Sequence, residues 1–422
     1  PEEELTRRTI MRYYKRKNPM LIREMIRNVY KECKGVPKGS CLTKEQRLSL
    51  QMDEFMNRRY EFRYNTQIGE VEYRERFSFQ FYFHPIDKRA QNSIMLDAQS
   101  EGIGVWDRDI DRYLHSNRVP IYNPLEEFLF HLPHWDGKDR IHALANRVPC
   151  KNPHWELLFH RWFLNMVSHW RGVDKMHANN TSPILVGRQG THKSTFCREM
   201  IPPALRAYYT DSIDFSHKRD AELYLNRFAL INIDEFDQIT LPQQGFLKHI
   251  LQKPVVNLRK PHGRSVLELQ RYASFIGTSN QKDLLTDPSG SRRFICIEVT
   301  GNIDTTQPID YEQLYAQAMY EIHHGERYWF DSEDEQIMTE NNREFEQTPA
   351  MLQLFYQYFK TAQTKEEGEF LTPVEILNYL KKKSGMSLSD NKVYHFGRLL
   401  QKCGIPSKHT YKGTVYQVIK LS

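Results

Sequence analysis

The chain has 422 residues, 39% of them hydrophobic and 27% charged, with a net charge of +6; it can bury full cores, and its length points to two or three domains. Its longest apolar runs, such as "FALINI" at 228–233, fall far short of the ~20 residues that cross a bilayer, and the start "PEEELTRRT" carries no secretory pattern. A cytoplasmic protein with no membrane partner is therefore expected. Its six cysteines (Cys33, Cys41, Cys150, Cys197, Cys296 and Cys403) form no C-x-x-C pair, which excludes the usual zinc and disulfide frameworks and predicts reduced, mostly buried thiols. Opening on Pro1 rather than Met is what a fragment or processed chain would show.

The positive charge is unevenly spread. From Leu371 to Ser422 nine Lys or Arg face only Glu375 and Asp390, a surplus of +7, and from Arg7 to Arg27 eight cations face Glu24 alone. Two basic blocks in one chain favour a polyanionic partner, nucleic acid above all.

In chain order, residues 1 to about 60 read as helices broken at "KGVPKGSC". Residues 59–85 read as a hairpin turning near Ile68 and Gly69, then a strand placing Phe77, Phe79, Phe81 and Phe83 on one face, expected to be core. "DRDIDR" at 107–112 imitates the start of a calcium loop, but Arg112 and Arg118 stand where Gly and Glu are needed, which rules the loop out. "NPLEEFLFHLPHWDGKDRIHALANRV" and "HWELLFHRWFLNMVSHWRG" look like amphipathic helices with many buried aromatics. Residues 181–300 alternate strands and helices, and the acidic stretch "DSEDEQIMTENNREFE" links them to a small terminal unit.

The alternating region carries the chemistry. "SPILV" has the composition of a buried parallel strand, "STFCREMI" can open a helix, and "GRQGTHKST" lies between them. This is almost the phosphate-binding pattern G-x-x-x-x-G-K-[ST], with His192 where its last glycine belongs. His is among the non-glycine residues enriched at unusual backbone angles, and Gly187 and Gly190 remain. The nucleotide-binding set is then Gly187, Gly190, Thr191, His192, Lys193, Ser194 and Thr195. In it Lys193 neutralises β and γ phosphates, and the Ser194 hydroxyl ligates Mg²⁺. "RFALINIDEFD" ends an apolar strand in carboxylates: Asp234 to hold the Mg²⁺ shell, Glu235 to polarise an attacking water. "ASFIGTSN" ends another strand in Asn280, placed for the γ phosphate or the water. Adjacent Arg292 and Arg293 in "GSRRF" are candidates for an arginine supplied across a subunit boundary, which requires an oligomer.

Between these motifs, "VVNLRKPHGRSVLELQ" reads as strand, basic turn, strand, with Arg259, Lys260, His262 and Arg264 at the tip, a set that seeks phosphate. In the tail, "LTPVEILNYLKKKSG" starts on a capping box from Thr372 to Glu375 and ends near Gly385. A second helix, "SDNKVYHFGRLLQKCG", places Val393, Phe396, Leu399, Leu400 and Cys403 inward and His395, Arg398 and Lys402 outward. A hairpin turning at Lys412 and Gly413 follows. Helix, helix, hairpin is a winged-helix pattern whose second helix would enter a DNA groove.

Taken in order, "GRQGTHKST", "INIDEF", "VVNLRKPHGRSVLELQRYASFIGTSN" and "LTDPSGSRRF" resemble the ATPase domain of the virulence-associated protein E family, related to the superfamily-three helicases of the AAA+ class and carried by phages and mobile elements. "YNPLEEFLFHLPHWDGKDRI" resembles the segment before that ATPase, so the likeness covers roughly residues 120–300. The resemblance implies Lys193 as the phosphate-loop lysine, Asp234 and Glu235 as metal and base carboxylates, Asn280 as the sensor amide, and Arg292 or Arg293 as the finger. Members usually carry glycine at the position of His192. It further implies that Lys260 and His262 sit on a hairpin gripping one DNA strand in a ring channel.

The expected fold is α/β: a P-loop AAA+-like ATPase core with a helical N-terminal region and a C-terminal winged-helix-like domain. The expected divisions are 1–118 (helical plus a small β region), 119–180 (a helical lead-in), 181–345 (the ATPase core and following helices) and 346–422 (the basic winged-helix-like domain). The expected activity is ATP- and Mg²⁺-dependent translocation on, or unwinding of, DNA by a homo-oligomeric ring, with a hexamer the expected form. Two other classes fit the same residues: a nucleotide-controlled switch or defence ATPase, and a DNA-binding initiator or regulator with a degenerate loop. DNA-stimulated hydrolysis separates the first from both.

Overall fold

In the computed structural model, the described residues are 42–79, 81–172, 177–258, 267–285, 288–347, 350–361, 368–385, 393–411 and 413–421. They fall into two compact units, 1–122 and 123–422.

In the first unit, helix α1 (Lys44–Arg59) begins at a capping box. The Gln46 amide donates to Thr43 Oγ1 at 3.3 Å and Gln46 Oε1 accepts the Thr43 amide at 2.9 Å, satisfying two otherwise orphaned donors. Strands β1 (Tyr60–Asn65) and β2 (Glu70–Glu75) form the expected hairpin, turning at Gly69 with φ of 71°. The short β3 (His84–Pro85), helices α2 (Lys88–Ser100) and α3 (Asp107–Leu114), and β4 (Ile121–Tyr122) complete a sheet ordered β3-β2-β1-β4. The mimic of a calcium loop is thus the first turns of α3. Phe55, Met56, Tyr60, Phe62, Val71, Ile94 and Tyr113 pack as the core.

The phenylalanine stripe is not part of that core. Phe77, Phe79 and Phe81 are 87%, 96% and 73% exposed, and Phe83 is half-buried with the Arg63 guanidinium 3.9 Å from its ring centroid. Alternation faces a core only while a strand stays in its ladder; β2 ends at Glu75 and the chain turns before the stripe begins.

The second unit opens with α4 (Pro124–Phe130), α5 (Arg140–Ala145) and α6 (Trp155–Trp170). The first amphipathic stretch is therefore two short helices. Pro133 has no amide to donate, and Gly137 sits at φ of 83°, a conformation foreign to a helix. Helix α6 buries Trp155, Trp162 and Trp170 completely or nearly so.

Beyond them lie β5 (Ser182–Val186), α7 (Lys193–Glu199), β6 (Tyr209–Thr210), α8 (Lys218–Arg227), β7 (Leu230–Ile233), α9 (Leu241–Leu251), the pair β8 (Val255–Leu258) and β9 (Leu267–Gln270), β10 (Ser274–Ser279) and β11 (Phe294–Glu298). Five of these strands form a wholly parallel sheet in the order β11-β5-β10-β7-β6, while β8 and β9 form a separate antiparallel pair. A parallel sheet is buried on both faces, and β5, β7 and β10 are buried at every position. Gly277 of β10 suits this packing: a Cβ there would lie 2.8 Å from Ile184 Cδ1 and 3.2 Å from Ile233 O, so the Ile184 side chain would have to move.

Helices α10 (Tyr311–His323) and α11 (Ser332–Asn341) follow. The acidic linker is thus partly helical: Asp331 caps α11, and Asp334, almost fully buried, pairs with Arg161 and Arg327.

The terminal unit contains α12 (Ala350–Tyr358), β12 (Phe359–Thr361), β13 (Glu369–Leu371), α13 (Pro373–Ser384), α14 (Val393–Lys402), β14 (Ser407–Thr410) and β15 (Gly413–Lys420), with β15 pairing with β12, β13 and β14. Thr372 and Glu375 make the capping box, and Gly385 ends α13 at φ of 67°. Phe396 and Leu400 are fully buried, and Val393 and Leu399 partly. Cys403, expected inward, is exposed, because α14 stops at Lys402 and the chain reverses through Gly404 at φ of 67°. Cys197 and Cys296 are buried and Cys150 is half-buried; Cys33 and Cys41 lie outside the described residues. No helix among the described residues is long and apolar enough to cross a membrane.

Candidate nucleotide site

The loop between β5 and α7 starts where the backbone is most crowded. The Gly187 amide donates to Ser279 O at 3.0 Å, and a Cβ on Gly187 would lie 2.9 Å from Val299 O, so no larger residue fits without a shift. Gly190 adopts φ of 84°. His192, the departure from the motif, sits at φ 64° and ψ 22° as the residue before α7. It thus takes the left-handed conformation for which glycine is the default, at a cost of about 1 kcal/mol. With the backbone path kept, His192→Gly is expected to leave the fold intact and to shift stability by no more than about 1 kcal/mol, which thermal unfolding checks; a large loss of stability would mean that the His192 side chain holds the loop.

Lys193 is 6% exposed, although its side chain carries a charge. Its Nζ donates to Gly187 O at 2.8 Å and Arg188 O at 2.7 Å and lies 3.3 Å from Asn280 Oδ1. Burial lowers the ammonium pKa below the ordinary lysine value, and the charge of Asp234 opposes that shift. Ser194 Oγ donates to Asp234 Oδ1 at 3.0 Å, and the Thr278 hydroxyl donates to the same carboxylate. Lys193, Ser194, Asp234 and Asn280 therefore converge although they are far apart in sequence, because β10 lies between β5 and β7. Thr191 Oγ1 donates to Arg188 O at 2.9 Å, its carbonyl accepts the Ile303 amide at 3.1 Å, and Thr195 is exposed on the first turn of α7.

Glu235 is exposed and also left-handed, at φ 52° and ψ 51°. It and His192 are the two non-glycine residues with positive φ among the described residues, and both lie in this site. Sequence reasoning missed Thr278, Ser279 and Asp237. Asp237 Oδ1 accepts from Ser279 Oγ at 2.7 Å, and the only sequence signal was its place in "DEFD".

Arg292 and Arg293 end a 3-10 turn, Pro288–Arg293. Arg292 is 48% exposed in its side chain and pairs with Glu335 of α11 at 2.9 Å; Arg293 is half-buried. Arg259, Lys260, His262 and Arg264 lie outside the described residues, although β8 and β9, which flank them, are paired in register from Val255–Gln270 to Leu258–Leu267. Of the outer face of α14, Arg398 is exposed with its guanidinium 4.6 Å from the Tyr394 ring centroid, and the side chains of His395 and Lys402 lie outside the description.

The fold and site define an α/β protein whose parallel sheet presents a glycine-bearing loop, a helix N-terminus, a lysine and a carboxylate at one place. The chain belongs to the virulence-associated protein E-like domain family, whose model matches residues 129–347. A second family model, described as a domain of unknown function from a B. Theta gene, matches residues 348–418. No curated protein matches. Among solved structures, the apo structure of the NrS-1 C terminal region is 12% identical, covering 90% of this chain and 100% of that one with a TM-score of 0.46. The A form apo structure of the same region is 11% identical, covering 88% and 99% with a TM-score of 0.43.

Proposed function

We propose that this chain is an ATP-driven DNA translocase or helicase of a mobile genetic element, built on an AAA+-like core and hydrolysing ATP at the interfaces of a homo-oligomeric ring. The observation that carries this reading is the convergence of Lys193, Ser194, Asp234 and Asn280 at the end of β5. Lys193 would neutralise β and γ phosphates, and the backbone amides at the start of α7 would face them. The residues present fit Mg²⁺: Ser194 Oγ and Asp234 Oδ1, 3.0 Å apart, are a hydroxyl and a carboxylate oxygen, the donors a hard cation takes. The metal would supply charge neutralisation on the phosphates. Glu235 orients the attacking water, Asn280 contacts that water or the γ phosphate, and Arg292 or Arg293 reaches the transferring phosphoryl group of a neighbour's nucleotide. The strand order β11-β5-β10-β7-β6, with the phosphate-loop strand flanked by β10 and β11, supports the AAA+-like reading.

The DNA contacts are assigned to two places: the tip between β8 and β9, and a winged-helix-like terminal domain in which α14, bearing His395, Arg398 and Lys402, enters a groove. The two are separable. Lys260→Ala with His262→Ala is expected to remove unwinding and DNA stimulation while basal hydrolysis stays within about threefold, since neither residue is in the nucleotide site. Deleting residues 371–422, which carry +7, is expected to weaken DNA binding and flatten its salt dependence, each lost phosphate contact lowering the slope by about 1. Binding measured across a salt series, with an unwinding assay, checks both. Normal unwinding by the hairpin variant together with loss of all hydrolysis on truncation would reverse the two assignments.

A further inference from the structure

The turn after β7 carries three carboxylates, Asp234, Glu235 and Asp237, of which the proposed hydrolysis uses the first two. Its Oδ1 accepts from Ser279 Oγ at 2.7 Å and lies 3.4 Å from the Asn280 amide nitrogen. Ser279 is 1% exposed; its Oγ accepts the Gln281 amide at 3.1 Å, and its one hydrogen is shared between Asp237 Oδ1 and Gln281 O, the latter at 2.8 Å. On the other side of the turn, Asp234 accepts from the Thr278 hydroxyl. Two carboxylates of one turn thus hold three successive residues of β10 and its end, 278, 279 and 280.

Between those two attachments lies Glu235, left-handed although it has a long side chain. A non-glycine residue keeps that conformation only where its surroundings over-determine it, and such residues gather at functional sites. Here the surroundings are identifiable. Glu235 O accepts the Gln238 amide at 2.8 Å, closing the 3-10 turn Phe236–Gln238, and Phe236 is fully buried with its ring edge-on to Phe294 at 5.1 Å between centroids. That closure brings Asp237 back onto β10.

We propose that Asp237 is a positioning residue: its carboxylate ties the turn after β7 to the end of β10, and so holds Glu235 in its left-handed conformation and Asn280 at the mouth of the site. The positioning stands on geometry alone, whereas its effect on rate rests on the hydrolysis reading.

The test uses the full chain with Asp237→Ala and Asp237→Asn, reading amide hydrogen exchange at residues 278–281 and the kcat and KM for ATP. Asn keeps an acceptor oxygen at the same place, so exchange is expected to rise at least about tenfold in Asp237→Ala and little in Asp237→Asn. The kcat of Asp237→Ala is expected to fall about 10- to 100-fold with KM within about threefold, as for misplaced catalytic groups. In an Asn280→Ala background the added loss should be under about threefold, since the two changes disable one arrangement. If Asp237→Ala does not fold, Ser279→Ala removes the donor instead and should give the same exchange response at residue 280, the amide read there because the change also takes the acceptor from Gln281. Unchanged exchange in Asp237→Ala or Ser279→Ala overturns the proposal, as does a loss confined to KM. Wild-type protein that hydrolyses no ATP, but whose exchange responds as described, overturns the hydrolysis reading and leaves the positioning in place.

Discussion

Lys193→Ala should lose nucleotide binding, while Glu235→Gln should bind ATP as wild type does and fail to turn it over. The difference follows from where the two side chains stand. Lys193 is buried against the loop carbonyls of Gly187 and Arg188 and beside Asn280, so it is the one cation of the assigned loop set, and its removal leaves phosphate charge uncompensated. Removing one partner of such a buried charged contact costs about 2–5 kcal/mol of binding, roughly 30-fold in affinity or more. Glu235 is exposed at the mouth of the site and has no role in holding the loop. Replacing its carboxylate by an amide preserves size and removes the ability to polarise water, so kcat should fall by at least about 10²-fold with affinity unchanged. Nucleotide binding measured with a fluorescent ATP analogue, beside steady-state turnover, separates the two. Equal hydrolysis in wild type and both variants would remove Lys193 and Glu235 from the mechanism.

The second large effect is expected in mixtures. Arg292→Ala with Arg293→Ala should lower kcat by about 10³-fold or more, the scale of a phosphoryl-transfer arginine. Arg292 is half exposed, and its ion pair with Glu335 is of the partly exposed kind that contributes only about 0–1 kcal/mol, so a neighbour's phosphate can compete for it. If the arginine comes from a neighbour, that double variant and Lys193→Ala are inactive separately yet complementary. In an equimolar random ring about a quarter of the interfaces join an intact loop to an intact arginine, and activity should return toward that fraction. No recovery on mixing, with assembly of both variants verified by sedimentation, would place the arginines in the same chain as their nucleotide or outside the reaction.

Much of the architecture was legible because short signals coincided with long-range needs. "SPILV", "FALINI" and "ASFIGTS" read as buried strands and are β5, β7 and β10 with their flanks; the capping box at Thr372 and the glycine at 385 bounded α13 closely. Strand order was not legible, since placing β10 between β5 and β7 depends on contacts between residues about ninety positions apart, such as Gly277 and Ile184. The phenylalanine stripe misled for a physical reason. Period-two alternation reports which way side chains point in a strand, but nothing in residues 77–83 reports that the ladder has ended at Glu75. The apolar periodicity of 123–148 marked helix there but not the break between α4 and α5, which Pro133 and Gly137 impose through their backbone limits.

The site was legible in its charged residues and not in their supports. Lys193 and Ser194 stood out through the spacing of the phosphate-loop pattern, and Asp234 and Asn280 because each is a polar residue at the end of an apolar strand. Asp237, Thr278 and Ser279 did not, because an acid two positions past a motif and two hydroxyls inside a strand look like ordinary turn and sheet residues until β7 and β10 are seen side by side. His192 is the instructive case. A motif scan marks it as a defect, whereas its φ of 64° is the conformation the glycine would have supplied.

ATP turnover by the wild-type chain with Mg²⁺, measured with and without single-stranded DNA, tests DNA-driven hydrolysis most directly. A Mg²⁺-dependent rate that rises several-fold on adding DNA, and that Glu235→Gln removes in both conditions, is the predicted result. Tight DNA binding with no hydrolysis in either condition would contradict it, and would turn the reading to a DNA-binding regulator whose loop no longer works as a nucleotide site.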